Sequence, residues 1–193
     1  MAFEPRPDQL AFPFSAGRLS LDFAGTVGQR GGLHYERLRD PDDLARWLVE
    51  AGLLSKLPRV DERGLSAARM LREAAYDVVR AAARGEPLEA ARVRLLNEFA
   101  AAPTTVPQLD PATGAVFWRA HRPVSAALAG IARDAVELGG SPLIDRVKEC
   151  AADDCTLLFL DLSRSQRRRW CSMERCGNRK KTSTYRRRQK ESA

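Results

Sequence analysis

Four segments of the chain place apolar residues at the spacing of an amphipathic helix. The first begins at Asp40, where a proline follows and acids occupy the first turn, and Gly52 suits its end. The same spacing predicts helices over 61–84, 87–101 and 123–138, with apolar stripes that are expected to face the core. The four stripes are Leu44, Trp47, Leu48 and Ala51; Leu65, Ala68, Leu71, Ala75, Val78, Val79 and Ala82; Leu88, Ala91, Leu95 and Phe99; and Val124, Leu128, Ile131, Ala135 and Leu138.

One hairpin is predicted among these helices. Residues 105–109 and 115–119 flank a turn sequence that contains Asp, Pro and Gly. A Ser-Pro pair at residue 141 follows the last helix and is a suitable boundary. We therefore expect two domains, a mainly helical body over 1–145 (the helical body) and a second unit over 146–193 (the zinc module).

All the cysteines lie in the second unit, at Cys150, Cys155, Cys171 and Cys176. Two close pairs separated by a hairpin-sized insert are what tetrahedral zinc ligation needs, because each pair forms a knuckle and the insert brings the knuckles together. Disulfides are an alternative that a reducing cytosol disfavours. Catalytic thiols are another, but no partner base stands beside a cysteine. We favour one structural Zn²⁺, because a catalytic zinc keeps an open position.

The residues around the cysteines predict a small αβ module. The apolar run 156–160 is too short for a helix and suits a buried strand. Residues 168–170 are expected to return as its partner strand. No helix breaker occurs in 179–190, so a helix is predicted there with Asn178 as its N-cap. The order knuckle, hairpin, knuckle, helix is treble-clef-like, and the fold class of the whole chain is predicted to be α+β.

Composition places the chain among globular proteins outside the membrane. Hydrophobic residues make up 44% and charged residues 30% of 193 residues. No run approaches the roughly 18 apolar residues of a membrane helix. The N-terminal residues carry no apolar signal segment, so we expect a cytoplasmic protein.

Positive charge is concentrated at the C-terminal end. The net charge is +7, yet residues 164–193 carry twelve Lys and Arg against two acids, so this segment stands at +10 and the remainder at −3. Such asymmetry indicates a polyanionic partner, and the predicted last helix has no apolar stripe with which to pack on a core. Phosphate contacts of DNA suit these side chains. The candidate nucleic-acid contacts are Arg167, Arg168, Arg169, Arg179, Lys180, Lys181, Arg186, Arg187, Arg188 and Lys190.

The segment from Trp170 to Arg179 resembles the signature of the CGNR zinc-finger family, and the similarity extends over about 146–190. The tetrad that names the family falls on Cys176, Gly177, Asn178 and Arg179. The resemblance implies a bacterial protein with a zinc-binding, DNA-binding C-terminal module, and it maps the family's four cysteines onto the four present here. Members are commonly described as transcription regulators.

The helical body resembles the ABATE domain that usually precedes this finger. The similarity lies in residues 19–26 and 35–38 and extends more loosely over 17–140. Gly25 stands where that family usually has Asn, so any role of that side chain is absent here. The polar residues expected around a possible pocket are Asp22, Thr26, Glu36 and Arg37. The competing interpretation is local capping and ion pairing.

We therefore favour a DNA-binding transcription regulator, in which the zinc module contacts DNA and the helical body dimerises or senses a signal. An RNA-binding protein is one alternative, although only Trp170 and Tyr185 could stack on bases. A protein-interaction or small-molecule-sensing protein with a purely structural zinc is another. No paired carboxylates, nucleophile–base motif or open metal site are found, so an enzyme is not expected.

Overall fold

The structure, a computed structural model, describes Pro5, residues 7–179, Lys181, Thr182 and Gln189. Within these residues the chain forms six helices, six short strands and two single helical turns. In order they are α1 (Pro7–Leu10), α2 (Leu19–Ala24), β1 (Val27–Gly28), β2 (Tyr35–Glu36), α3 (Pro41–Glu50), α4 (Glu62–Ala83), α5 (Ala90–Ala101), β3 (Val106–Leu109), β4 (Val116–Arg119), α6 (Pro123–Gly139), a tight turn (Pro142–Arg146), β5 (Val147–Glu149), β6 (Leu158–Leu160) and a wide turn (Met173–Gly177).

The helix starts predicted at Asp40 and Asp61 are confirmed. Asp40 caps α3, its Oδ1 accepting the backbone N–H of Asp43 at 2.8 Å. Asp61 caps α4 in the same way, accepting from the N–H of Gly64 at 2.8 Å. Such caps satisfy donors that a helix leaves without internal partners.

The core is organised around α4, which packs against α2, α3, α5 and α6. The stripes predicted for α3, α4 and α6 are buried there, with Ala51, Ala82 and Val124 half-buried. Trp47 and Phe23 are fully buried, with ring centroids 4.8 Å apart. Burial of each large apolar side chain contributes about 1.5–3 kcal/mol, so this layer carries most of the stability of the helical body.

The prediction for α5 was wrong in its start and in its buried face. The helix begins at Ala90 rather than at residue 87, and Leu88 is exposed. Its buried residue is Leu96, which lies on one face with the half-buried Val93 and Phe99. Phe99 belongs to both stripes, and packing against α4 and α6 buries Leu96 rather than Leu95.

The predicted hairpin of β3 and β4 is confirmed in position, and the structure supplies its register. Val106 pairs with Arg119 and Leu109 with Val116. Asp110 closes the turn, because its Oδ1 accepts the backbone N–H groups of Ala112 and Thr113. All eight strand residues are exposed.

Two elements near the N-terminus have no clear sequence signal. Helix α2 spans only six residues and has no side-chain N-cap. Strands β1 and β2 form an antiparallel pair of two residues each. Both lie in the segment that packs against the zinc module, so tertiary contacts stabilise them.

The hairpin of the zinc module uses a different second strand from the predicted one. Strand β6 pairs antiparallel with β5, and Val147 lies opposite Leu160. Residues 168–170 lie in no strand, because the chain turns at Asp161 after β6. Asp161 accepts hydrogen bonds from the hydroxyl of Ser163, the ammonium of Lys148 and the backbone N–H groups of Ser163 and Arg168. These contacts hold the pKa of its carboxyl well below the usual value.

The helical segment after the second knuckle also begins earlier than predicted. Ser172 caps the wide turn, a single π-helical turn over Met173–Gly177. Its hydroxyl accepts the N–H of Arg175 at 3.3 Å. Asn178 has helical angles and lies inside the helical segment, so it is not the N-cap. Of the predicted helix over 179–190, Arg179, Lys181, Thr182 and Gln189 are described as helical, and the remainder lies outside the described residues.

The predicted fold class is confirmed in outline. A mostly helical N-terminal region with small hairpins precedes a four-cysteine cluster with a hairpin of its own. Among the described residues, none of the helices combines the length and apolar character needed to cross a bilayer.

Candidate metal centre and its contacts with the helical body

The four cysteines meet in one buried cluster. Their sulfur atoms all lie within 4.8 Å of one another, and each residue is buried. The Sγ atom of Cys171 lies 3.7 Å from that of Cys155 and 3.5 Å from that of Cys176. The structure therefore brings together residues from two knuckles that are separated by the whole β6 insert.

Backbone hydrogen bonds shape each knuckle. In the first, the N–H of Cys155 donates to the carbonyl of Ala152 at 3.0 Å. In the second, the N–H of Cys176 donates to the carbonyl of Ser172 at 3.0 Å. The N–H of Cys171 donates to Sγ of Cys150 at 3.4 Å and joins the two knuckles. The hydrogen bond to the sulfur orients the Cys150 side chain, as partners outside the ligand set do at metal sites.

The donor set fits zinc. Zinc–sulfur bonds of about 2.3 Å in a tetrahedron separate neighbouring sulfurs by about 3.8 Å, close to the distances seen here. A disulfide would need sulfurs about 2.05 Å apart, and all four cysteines are free. Four thiolates leave no open position, so the cluster suits one structural Zn²⁺.

Without a metal, repulsion between neighbouring thiolates opposes deprotonation of all four thiols at once. Hydrogen bonds from the neighbouring thiols and from the N–H of Cys171 lower the pKa of Cys150. Contact with Cys150 raises the pKa of Cys171, because two adjacent thiolates repel each other. A bound Zn²⁺ would offset the repulsion between the thiolates, since it holds its thiol ligands deprotonated.

Arginines surround the cluster on the side of the helical body. Arg37, Arg175 and Arg179 line a cavity of about 60 Å³ together with three of the cysteines. Nη2 of Arg179 lies 3.6 Å from Sγ of Cys176. Burial lowers the pKa of Arg37, and nearby Arg175 lowers it further. Zinc with four thiolates has a net charge of −2, so these cations suit a metal-bound cluster.

Gly177 allows the second knuckle to close. A Cβ atom at this position would lie 2.7 Å from Sδ of Met173 and 3.3 Å from Cδ1 of Trp170. Trp170 is half-buried against the core cluster that contains the cysteines.

The zinc module and the helical body share one core. Leu158, Phe159 and Leu160 of β6 belong to the same cluster of buried side chains as Trp47 and Ile131. Polar contacts reinforce the boundary: Oη of Tyr76 in α4 donates to the carbonyl of Thr156 at 2.9 Å, and Arg84 pairs with Glu149.

An extended N-terminal segment, residues 11–16, bridges the two parts. Arg168 donates to the carbonyl of Ser15 at 3.1 Å and Arg175 to that of Ala11 at 3.4 Å. From the helical body, Nε of Arg37 donates to the same Ala11 carbonyl at 3.1 Å. We call residues 11–16 the strap, since both parts hold its backbone.

The residues predicted around a pocket have different surroundings in the structure. Asp22 accepts the N–H of Ala16, and burial raises the pKa of its carboxyl to about 6. The Thr26 hydroxyl donates to a backbone carbonyl in the body. Glu36 forms a bidentate ion pair with Arg72 at 2.7 and 2.8 Å. Arg37 lines the small cavity at the cysteines.

Arg72 is a buried, fully paired arginine that the sequence analysis did not single out. It is 4% exposed and sits among the apolar positions of α4, where its guanidinium also bonds to Thr26 and Glu73. A charged residue inside an apolar stripe was the available signal.

The predicted nucleic-acid contacts fall into distinct environments. Arg167, Arg169 and Lys181 are exposed. Arg168 is committed to the carbonyls of Ser15, Trp170 and Cys171, and Arg179 pairs with Asp154 at 2.8 Å. The others lie outside the described residues: Lys180, Arg186, Arg187, Arg188 and Lys190.

Comparison with known proteins agrees with this geometry. Residues 17–142 match the ABATE family, described as "Putative stress-induced transcription regulator", and residues 146–189 match the CGNR zinc finger. No curated protein matches the chain. A helical body over the first match and a buried four-cysteine cluster within the second identify the chain as a member of the ABATE family that carries a CGNR zinc finger.

Proposed function

We propose that this protein is a DNA-binding transcription regulator. In this proposal the zinc module (146–193) contacts DNA phosphates, and the helical body (1–145) dimerises or senses a signal. The four cysteines are the ligands of one structural zinc ion. The family match to a transcription regulator supports the class, and the distribution of free cations supports the contact surface.

The observation that carries the proposal is a set of exposed arginines on a chain segment fixed by the metal cluster. Arg164, Arg167 and Arg169 are exposed and lie between β6 and Cys171. Within the described part of the chain, none of the three has an acidic partner. Because Asp161 and Cys171 anchor the two ends of this loop, its cations are held outward at low entropic cost. Phosphate contact requires such unpaired, accessible cations.

The basic residues that follow extend this surface in sequence. Lys181 is exposed, and the cations at 180, 186–188 and 190 are proposed to contact the same DNA. Arg168 and Arg179 are expected to contribute less, because backbone carbonyls and Asp154 already engage them. A bacterial cytoplasmic location and the absence of catalysis belong to the same proposal.

A salt titration tests the proposal. Zinc-loaded protein is titrated with random duplex DNA at increasing salt, and about six phosphate contacts predict a slope of log K on log salt near −5. The triple variant Arg164→Glu, Arg167→Glu, Arg169→Glu should bind with a lower affinity and a shallower slope. The matched control Arg63→Glu, Arg94→Glu, Arg119→Glu makes the same charge change at exposed residues of the helical body. Equal losses in both variants would show a non-specific charge effect and overturn the assigned surface.

RNA binding is the alternative that the same experiment addresses. Sequence-specific RNA modules stack bases on exposed aromatic side chains, whereas Trp170 in the zinc module is half-buried. Competition of single-stranded RNA against duplex DNA should leave DNA bound. Absence of binding to both nucleic acids, with zinc present, would favour a protein in which the zinc is purely structural. The core that the zinc module shares with the helical body also suits this alternative.

A further inference from the structure

A cavity of about 690 Å³ opens at the end of the helical body where α4 and α6 begin. It lies away from the cysteine cluster and contains none of the predicted site residues. Small-molecule sites in proteins commonly have volumes of about 300–1,000 Å³. The cavity therefore has room for a ligand of metabolite size.

The wall of this cavity is largely apolar. Val60, Phe99, Val124 and Leu128 contribute side chains to it. Leu128 is buried, and the other three are half-buried at the edge of the core. Such a wall favours the apolar part of a ligand, since each buried CH₂ group contributes about 0.8 kcal/mol.

Two cations without partners line the same cavity. Arg59 and Arg122 are exposed, and neither side chain has an ion pair or hydrogen bond within the described residues. The one acid in the lining, Asp61, is occupied in capping α4 through the N–H of Gly64. The lining thus has a net positive charge, and in the described part of the chain no acidic side chain pairs with these two arginines.

The first turn of α6 adds backbone N–H donors, which favour a negative charge as the two arginines do. Its N-cap, Arg122, makes no capping side-chain bond, and the turn contains no acid. The N–H groups of Val124 and Ser125 lie at positions that lack helical acceptors, and both residues line the cavity. This end of α6 contrasts with the capped start of α4, and a negative charge is stabilised there.

We propose that this cavity binds a small organic anion, an acid with an apolar chain or ring. The acidic group would lie at Arg122 and the start of α6, and the apolar part would lie against Phe99 and Leu128. The proposal rests on the cavity alone and does not depend on DNA binding.

Binding is measured with 1-anilinonaphthalene-8-sulfonate, a fluorescent organic anion, on the zinc-loaded full chain. Octanoate is expected to displace it at about tenfold lower concentration than neutral 1-octanol, because a charge-assisted hydrogen bond is lost in the alcohol. The double variant Arg59→Glu, Arg122→Glu should weaken probe binding by about tenfold or more. Its control, Arg94→Glu with Arg164→Glu, changes two exposed arginines outside the cavity and should leave binding unchanged.

A second pair of variants tests the volume. Ala67→Phe places a ring in the cavity wall, whereas Ser66→Phe places the same ring on the exposed neighbouring position of α4. Only the first should weaken binding, and a thermal melt of each variant checks folding. Unsaturable probe binding, equal effects of the paired variants, or loss of binding in Trp118→Ser on the exposed hairpin would each overturn the proposal.

Discussion

Leu160, the last residue of β6, donates its backbone N–H to the carbonyl oxygen of Ala16 at 2.8 Å. The N–H of Ala16 in turn donates to Oδ1 of Asp22 in α2 at 2.8 Å. The strand inserted between the two cysteine pairs is thus bonded to a strap residue that the helical body holds in place. Metal binding and the packing of the helices are therefore expected to depend on each other.

Removal of zinc should destabilise the helical body as well as the zinc module. Leu158, Phe159 and Leu160 lie in the shared core, and each such side chain contributes about 2 kcal/mol. When the knuckles no longer hold β6, the thermal midpoint of the helices should fall by about 10 °C or more. Far-UV circular dichroism with and without a chelator, in reducing buffer, measures this shift. Restored zinc should reverse it, and an unchanged midpoint in metal-free protein would show that the two parts are uncoupled.

Loss of the Arg37 guanidinium should be costly. This residue is 4% exposed and donates to the carbonyls of Gly25 and Ala11 at 2.7 and 3.1 Å, so its removal leaves buried acceptors unpaired. Arg37→Met is expected to lower the free energy of unfolding by about 3 kcal/mol. Arg39→Met, two residues away, removes an exposed arginine whose partner Asp43 keeps its ion pair with Arg46, and should cost less than about 1 kcal/mol. Urea unfolding compares them, and equal costs would contradict the assigned role.

Asp22 should make stability fall as the pH rises. Burial raises the pKa of its carboxyl from 3.8 to about 6, so the folded protein binds this proton more tightly than the unfolded chain. The proton stabilises the fold below about pH 4, and that contribution is lost as the pH rises to about 6. Asp22→Asn retains an acceptor for Ala16 and should be more stable than wild type by roughly 2 kcal/mol at pH 7.

The difference between Asp22→Asn and wild type should become small at about pH 3, where Asp22 is protonated in both the folded and the unfolded chain. Urea unfolding at the two pH values measures it. Other titrating groups cancel in the comparison of the two proteins. A difference that does not vary with pH would show that Asp22 has an ordinary pKa.

Gly25→Asn, which introduces the residue usual in the family, should destabilise this chain. A Cβ at Gly25 would lie 3.0 Å from the carbonyl oxygen of Asp22 and 3.1 Å from Cδ1 of Leu157. We expect a loss of about 1–3 kcal/mol, typical of overpacking. Gly139→Asn, at a position with open space, is the control. In Gly25→Asn combined with Leu157→Ala the two costs should be less than additive, and strict additivity would show that the residues do not meet.

Local signals in the sequence were sufficient for the elements that depend on nearby residues. Asp40 and Asp61 cap their helices because the carboxylate of a short side chain reaches the N–H three residues later. The Asp-Pro-Ala-Thr-Gly turn closes the β3–β4 hairpin for the same kind of reason. The cysteine spacing was enough to predict a single four-thiol cluster.

Elements that depend on distant partners were predicted poorly. Residues 168–170 have strand composition, yet β5 takes the place beside β6 and Asp161 turns the chain away. The face of α5 was misassigned because adjacent Leu95 and Leu96 allow two stripes, and only packing against α4 and α6 selects one.

The sequence by itself therefore determined the boundaries of α3, α4 and α6, the β3–β4 hairpin, the family and the metal cluster, since capping, turn chemistry and thiol spacing act over a few residues. The tertiary structure alone decided which polar residues became structural. Arg37, Arg168 and Glu36 have partners far along the chain, and a buried charge must find such partners wherever the fold provides them. The strap, the helical body and the zinc module likewise share one core. Apolar surface is buried against the segments that the fold brings near, however distant they are in sequence.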